Sequence, residues 1–273
     1  MENNSVDNDL RLAVLIDADN VPYSYVKEML EEITRYGTPT IKRIYGDWTQ
    51  QTVSGWKSCL LVNAITPVQQ YSYTYGKNST DSAMIIDAMD ILYSDNVDGF
   101  CIVSSDSDFT RLATRLREAG KRVIGIGEKK TPAPFIAACD KFIYLEILKP
   151  PAEPPKQQQK KSAQKKSKEK EKEKEPAKKT DNRAGSDGTR KSGLPADVLR
   201  LISDSIDIVA DDDGWAFLGE IGNLISKKRP DFDPRNYGFM KLSDLIKSSD
   251  AFLTDIRVTS GKNVKHIYIK NNI

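Results

Sequence analysis

Residues 11–20 read RLAVLIDADN, and this stretch decides the fold. Leu12 to Ile16 is a short, continuous apolar run, which is typical of a strand buried on both faces of a parallel sheet. Asp17 follows that run directly. Because ligands of open α/β sheets bind at the carboxyl ends of the strands, we expect a functional site at this carboxylate.

Apolar strands and amphipathic helices alternate through the next hundred residues. Val26, Met29, Leu30 and Ile33 recur at helical spacing, and Gly37 ends that helix. Further strands are predicted at 41–45, 68–73, 100–103 and 123–126, and further helices at 56–63, from 81 onward and from 109 to 120. This order predicts an α/β fold built on a doubly wound parallel sheet.

A second folded region is predicted near the carboxyl end. It opens with a helix from Leu194 to Val209, continues with short helices, and closes with strands at 252–259 and 264–270. Helices followed by a β-hairpin predict a small winged-helix-like α+β domain. We therefore expect one domain over residues 10–148 and a second over residues 193–271.

The segment between them, residues 149–192, is predicted to be a disordered charged linker. Residues 151–180 contain 11 Lys and 5 Glu, no aromatic residue and no aliphatic residue larger than Ala, so they cannot bury a core. The formal net charge is −4 for residues 1–150, +6 for 151–180 and 0 for 181–273. Two interpretations stay open: a solubilising spacer, or a basic segment that attracts a polyanion.

Composition disfavours several classes of protein. No run approaches the roughly 18 apolar residues of a membrane span, and residues 1–10 are polar and acidic, unlike a signal peptide, so we expect a cytoplasmic protein. Cys59, Cys101 and Cys139 lie far apart without a CxxC pair, which indicates neither a disulfide framework nor a zinc site. The sole histidine, His266, is far from every acidic cluster, so carboxylates must carry any hydrolytic chemistry.

Four carboxylates are predicted to meet at one edge of the sheet. Asp17 and Asp106 follow strands, whereas Asp81 and Asp108 stand at helix starts, where N-capping alone also explains them. Capping does not explain acids at the ends of apolar strands. Crowded carboxylates repel unless a divalent cation neutralises them, and oxygen ligands without His or Cys select Mg²⁺ or Mn²⁺. We therefore predict a metal site formed by Asp17, Asp81, Asp106 and Asp108.

A cation held by these acids would activate water and neutralise phosphate charge, which suits phosphodiester hydrolysis. The predicted catalytic residues are Asp17, Asn20, Asp81 and Asp106. The amide of Asn20 orients water or phosphate, or else caps the helix that follows. Lys77 binds a phosphate, or else is a solvated loop charge. Asp19 and Asp87 are left out of the predicted site; Asp87 lies about 240° round a helix from Asp81, which predicts a structural or surface acid.

At this point the first region resembles the NYN domain, a branch of the PIN-like nuclease superfamily, over roughly residues 10–147. The motifs that carry the resemblance are LIDADN at 15–20, RIYGDW at 43–48, GKNSTD at 76–81 and SSDSDF at 104–109. The resemblance implies a PIN-like fold and an Mg²⁺- or Mn²⁺-dependent ribonuclease whose metal-binding acids are Asp17, Asp81, Asp106 and Asp108, with Asn20 beside them. Such domains often have Gly where Ala18 and Ser105 stand, but neither difference removes a carboxylate.

The second region, about 194–270, resembles the OST-HTH domain, also called LOTUS. The resemblance rests on DGWAFLGEIGNLISKKRPDFDPRNYGFMKLSDLI at 213–246 and on the closing hairpin. It implies RNA binding, and leaves a homo-oligomer or a protein partner through this domain open. From positions on or just before the third helix, and in or beside the wing, the predicted RNA contacts are Arg235, Tyr237, Lys241, Lys262 and Lys265. The alternative places Tyr237 and Phe239 in the core.

Two rival functions stay open. Asp17, Ala18 and Asp19 resemble the DxD opening of haloacid-dehalogenase-like phosphatases. That family requires a late acidic pair spaced four apart, however, and here Asp106 and Asp108 are two apart with no evident cap domain. The second rival is a binding protein that tethers RNA through an inert acidic site.

Overall fold

The structure is a computed structural model that describes residues 9–71, 79–148, 194–258 and 265–272. In the first domain six parallel strands form one sheet in the order β3-β2-β1-β4-β5-β6. The strands are β1 (Arg11–Asp17), β2 (Thr38–Gly46), β3 (Thr66–Gln69), β4 (Gly99–Val103), β5 (Arg122–Gly127) and β6 (Lys141–Tyr144). The helices are α1 (Val26–Ile33), α2 (Lys57–Leu60), α3 (Ser79–Ser94), α4 (Thr110–Glu118) and α5 (Ala133–Ala138). The predicted doubly wound α/β fold is confirmed.

The strand order reverses between β1 and β4. β1 pairs with β2 on one side and with β4 on the other, and Ile16 lies opposite Val103 in the second pair. The chain leaves β1 toward β2 and leaves β4 toward β5, so the loops that follow these two strands separate and open a crevice. Residues that follow β1 and β4 therefore line one crevice at the carboxyl edge.

β1 divides the core of the first domain into two layers. Leu12, Val14 and Ile16 belong to the layer that contains α1, whereas Ala13 and Leu15 belong to the layer that contains α3 and α4. All five are fully buried. Burial of each Leu or Ile side chain stabilises the fold by about 1.5–3 kcal/mol, so the continuous apolar run fixes β1 at the centre of the sheet.

Short elements differ from the prediction. The third strand is Thr66–Gln69 instead of 68–73, and residues 72–78 lie outside the described residues. Among the described residues it pairs with β2 alone and forms an edge of the sheet, which is why Pro67 is tolerated within it. The helix predicted at 56–63 is only Lys57–Leu60. Helix α5 and strand β6 were not predicted, because six and four residues are too few to show a hydrophobic period.

The second domain combines three helices with a three-stranded antiparallel sheet. The helices are α6 (Ala196–Val209), α7 (Leu218–Lys228) and α8 (Leu242–Lys247). The strands are β7 (Ala216–Phe217), β8 (Phe252–Val258) and β9 (Lys265–Asn271), in the order β7-β9-β8. The predicted opening helix and closing hairpin are confirmed. The two-residue strand β7 was missed, and the hairpin tip at 259–264 lies outside the described residues.

The two domains form one compact unit, in which the segment before the 3₁₀ turn at 234–237 contacts β6. The backbone amide of Phe142 donates to the carbonyl of Pro230 at 3.0 Å. The ammonium of Lys141 donates to the carbonyl of Phe232 at 2.8 Å, and the hydroxyl of Tyr144 donates to Asp231 at 2.9 Å. The outer edge of β6 is therefore hydrogen-bonded to the second domain.

A buried ion pair adds to this contact. Arg235 donates two hydrogen bonds to the carboxylate of Glu32 in α1, at 2.9 and 2.7 Å, and also bonds Asp233 beside it. The side chains of Glu32 and Arg235 are only 7% and 17% exposed. Burial acts to raise the pKa of Glu32, but the hydrogen bonds and charge of Arg235 outweigh it and hold that pKa below its usual value. This pair joins residues 203 positions apart in sequence.

The length and hydropathy of the described helices differ from those of a membrane span. None of these helices combines the length and the apolar composition that crossing a bilayer requires.

Candidate metal centre

Two neighbouring strands place the first two acids of the site. Asp17 is the last residue of β1, and Asp106 lies in the loop that follows β4. Since β1 and β4 are hydrogen-bonded neighbours, both carboxylates reach the crevice described above.

The Asp17 carboxylate is buried and held in place. Its side chain accepts hydrogen bonds from Asn20 at 2.6 Å, from Ser104 at 2.8 Å and from the backbone amide of Asp19 at 3.1 Å. Burial raises the pKa of Asp17, while the hydrogen bonds of Asn20 and Ser104 act in the opposite direction. Asn20 therefore orients Asp17. It is not the N-cap residue of the helix that follows, because Pro22 and Tyr25 hold the N-cap positions of the 3₁₀ turn at 23–25 and of α1.

Three further acids meet beside Asp17. Among the described residues, Asp81, Asp106 and Asp108 each offer a carboxylate oxygen, and these three oxygens lie within 4.8 Å of one another. Asp81 lies in the first turn of α3. Asp106 accepts a hydrogen bond from the backbone amide of Asp108 at 2.9 Å and so caps the 3₁₀ turn at 107–109. The expectation that capping does not account for Asp106 was wrong, because Asp106 both caps this turn and belongs to the cluster.

Asp81 reports the electrostatics of the cluster. Burial of the side chain is the largest cause of a raised pKa at Asp81, and the negative charges of Asp17, Asp106, Asp108 and Asp19 add to it. Together they raise the pKa of Asp81 to about 6. Asp17 is thus close enough to act on Asp81, although it is not one of the three acids whose oxygens lie within 4.8 Å of one another. A set of carboxylate oxygens that repel each other fits a hard divalent cation such as Mg²⁺ or Mn²⁺.

Two residues of this site were not in the sequence prediction. Ser104 donates to Asp17, and its position directly after β4 is the signal that could have found it. Asp19 accepts a hydrogen bond from Thr80 at 3.3 Å, which links the loop after β1 to the start of α3. Asp87 accepts from Arg43 and Tyr45 on β2, in agreement with its predicted structural role.

The predicted RNA contacts fall in different environments. Lys77 and Lys262 lie outside the described residues, and Lys241 and Lys265 are exposed. Tyr237 packs beside Phe232, with ring centroids 5.9 Å apart, which is the core alternative that the sequence left open. We assign Arg235 to the contact between the domains rather than to RNA, because its guanidinium forms ion pairs with the carboxylates of Glu32 and Asp233.

A cavity of about 430 Å³ opens beside the site. Its lining includes Asp19, Asn20 and Tyr23 from the loop after β1, together with Trp56 and Lys130. The Tyr23 ring packs closely on Gly55, where a Cβ atom would come within 2.4 Å of it. Tyr23 is half exposed.

Comparison with known proteins identifies two families. The NYN domain family matches residues 11–146, and the OST-HTH/LOTUS domain family matches residues 190–264. An uncharacterized protein of Methanocaldococcus jannaschii is 27% identical over 124 residues, which cover 43% of this chain and 47% of the relative. The match thus spans about half the length of that relative.

Two solved structures are also similar to parts of the chain. A protein of unknown function from Vibrio parahaemolyticus matches with 20% identity and a TM-score of 0.41, over 50% of this chain and 94% of that one. An uncharacterized protein from Nitrosomonas europaea matches with 33% identity and a TM-score of 0.28, over 36% of this chain and 92% of that one.

Proposed function

Since this chain is an NYN-domain protein of the PIN-like nuclease superfamily with an OST-HTH/LOTUS domain after it, we propose that it is an Mg²⁺- or Mn²⁺-dependent ribonuclease. One observation carries the proposal: Asp81, Asp106 and Asp108 converge at the edge of the sheet where Asp17 ends β1. The second domain supplies RNA binding in this proposal. The cytoplasmic location stays a prediction.

The residues of the site divide into ligands and orienting groups. Asp81, Asp106 and Asp108 would hold the cation, and Asp17 completes the negative charge of the site. When bound, the cation supplies activation of water and neutralisation of charge on the phosphate. Asn20 and Ser104 hold the Asp17 carboxylate in one orientation before substrate binds, which lowers the reorganisation needed at the moment of reaction.

The cavity beside the site provides room for the nucleotide that flanks the scissile bond. Its volume of about 430 Å³ lies within the usual range of ligand pockets, which is about 300–1,000 Å³. The half-exposed ring of Tyr23 offers a stacking surface, and the ammonium of Lys130, which is paired with Glu128 at 2.6 Å, lines the same cavity. We therefore place the flanking nucleotide beside the loop that follows β1.

The direct experiment is a cleavage assay on one mixed pool of single-stranded and structured RNA. We expect cleavage with Mg²⁺ or Mn²⁺ and none in EDTA. Intact RNA under every divalent ion tested would instead support the tethering protein. Rapid hydrolysis of small phosphomonoesters with RNA left intact would support the phosphatase.

Cation binding is testable without any activity. Added Mg²⁺ or Mn²⁺ should raise the melting temperature of the wild type, because at 100 times Kd a ligand stabilises the folded state by about 2.7 kcal/mol. Asp81→Asn should abolish this rise. The same variant should melt above the wild type in EDTA at neutral pH, because it removes one of the repelling charges. Differential scanning calorimetry measures both effects.

The matched control for this measurement is Asp90→Asn, which changes an exposed acid on the same helix. It should keep the cation-dependent rise. A rise of equal size in Asp81→Asn and in the wild type would place the cation elsewhere.

A further inference from the structure

The sheet of the second domain carries aromatic rings on the side that faces away from its core. On β9, Ile269 is fully buried in the core, whereas the alternate residues Tyr268 and His266 point to the opposite face. Phe217 of β7 lies opposite Tyr268, and Arg257 of β8 lies opposite His266, so both belong to the same face. We call this surface, completed by the neighbouring Trp215, the aromatic face.

The side chains of the aromatic face contact one another in an ordered array. The ring of Phe217 lies 5.3 Å from that of His266 and 5.8 Å from that of Tyr268, measured between centroids. The guanidinium carbon of Arg257 lies 4.2 Å from the Tyr268 centroid and 5.5 Å from the Trp215 centroid. A planar cation therefore already lies over the Tyr268 ring, where a base could also stack.

Backbone and side-chain contacts fix this array. The carboxylate of Asp211 accepts from the amide of Trp215 at 2.7 Å, and Gly214 adopts the positive φ of 81° that the turn between them requires. Asp255 accepts from the Nε atom of Arg257 at 3.0 Å. None of the five side chains of the aromatic face is buried. The rings are thus both ordered in advance and accessible.

The charge of the surface indicates which partner fits it. Lys270 alternates with His266 and Tyr268 on β9 and so belongs to the same face, where its ammonium donates to the carbonyl of Asp213 at 2.8 Å. The carboxylate of Asp255, which lies opposite Tyr268, is paired with Arg257. The aromatic rings thus lie beside two cations, Arg257 and Lys270. This combination suits single-stranded nucleic acid, because its unpaired bases stack on rings and its phosphates are attracted by positive charge. A double helix keeps its bases stacked inside and cannot offer them to such a surface.

We propose that the aromatic face binds single-stranded RNA by stacking unpaired bases on Tyr268, Trp215 and the Arg257 guanidinium. The proposal rests on the RNA-binding role of the second domain proposed above and assigns that role to a specific surface. None of its three stacking residues is among the RNA contacts predicted from the sequence.

The test measures binding in EDTA, so that no RNA is cut and cleavage does not enter the result. Full-length protein is titrated into fluorescein-labelled single-stranded RNA of mixed sequence, and affinity is read from fluorescence anisotropy. We expect Tyr268→Ala and Arg257→Gln each to weaken binding at least about 5-fold, since a stacked base contributes about 1–3 kcal/mol. Tyr268→Phe, which keeps the ring, should bind like the wild type.

Two further measurements distinguish a loss of affinity caused by lost stacking from one caused by lost charge or by unfolding. RNA that contains 2-aminopurine should lose fluorescence on binding to the wild type, and this quenching should shrink in Tyr268→Ala. The matched control is Tyr93→Ala, which removes a 74% exposed ring from α3 in the other domain and should leave affinity and quenching unchanged. Circular dichroism melting verifies that each variant is folded.

The outcomes are distinct. Wild-type protein that binds no RNA would overturn the proposed function together with this inference. Wild-type binding that Tyr268→Ala and Arg257→Gln leave unchanged would overturn the inference alone. If Tyr268→Ala and Arg257→Gln lost equal affinity for duplex and for single-stranded RNA, the inference would also be overturned, because the surface would then recognise phosphates and not bases.

Discussion

Asp106→Asn should leave less than about 1% of wild-type RNA cleavage, while RNA affinity in EDTA stays unchanged. Asn keeps the shape of the side chain and can still accept the hydrogen bond that Asp108 donates through its backbone amide. The fold is therefore preserved. The variant removes a negative charge from the group of oxygens that lie within 4.8 Å of one another. Single-turnover cleavage at saturating Mg²⁺ or Mn²⁺ measures the loss.

Asp17→Asn should cleave RNA as poorly as Asp106→Asn, for a related reason. It removes the buried charge that Asn20 and Ser104 orient and replaces one acceptor oxygen with a donor group. Asp90→Asn serves again as the control and should cleave at the wild-type rate, because it lies exposed on α3. Wild-type cleavage rates in both Asp106→Asn and Asp17→Asn would refute the assignment of the metal centre.

Arg235→Ala should lower the free energy of unfolding by about 3 kcal/mol, because it leaves the Glu32 carboxylate buried without its main partner. Urea denaturation measures the change. The difference between wild type and variant should be largest at neutral pH. It should vanish as pH falls through the lowered pKa of Glu32, since a protonated carboxyl no longer requires the cation.

Arg35→Ala is the matched control for this prediction. Arg35 also bonds Glu32, at 3.2 Å, but its side chain is 63% exposed, so water replaces it at little cost. We expect a loss of at most about 1 kcal/mol. Small-angle scattering should detect an expanded molecule for Arg235→Ala and not for Arg35→Ala. Equal destabilisation by the two variants would contradict a buried contact between the domains.

The sequence was sufficient to predict the centre of the sheet and the acids around it. The run Leu12 to Ile16 has no polar interruption, so both its strand character and the position of Asp17 follow from local chemistry. The carboxyl edge of a parallel sheet then brings the residues after neighbouring strands together without any further information. The convergence of Asp106 with Asp17 on one crevice follows from that rule.

Other contacts join residues that are far apart in the sequence, and local sequence patterns do not predict them. Arg235 has the composition and location of an RNA contact, and nothing near it in sequence shows that Glu32, 203 residues earlier, takes its guanidinium. The aromatic face was missed for a similar reason. It requires the pairing of Phe217 with Tyr268, and β7 is only two residues long, which is too short for any periodic signal.

The hydrogen bond from the Phe142 amide to Pro230 bears on how the first domain behaves when it is produced alone. A fragment that ends before residue 150 would expose the outer side of β6, with polar backbone groups ready to pair with a strand from another molecule. Such fragments should aggregate at concentrations where the full chain stays monodisperse. In the full chain the second domain hydrogen-bonds to this edge of the sheet and so protects it from pairing with other molecules.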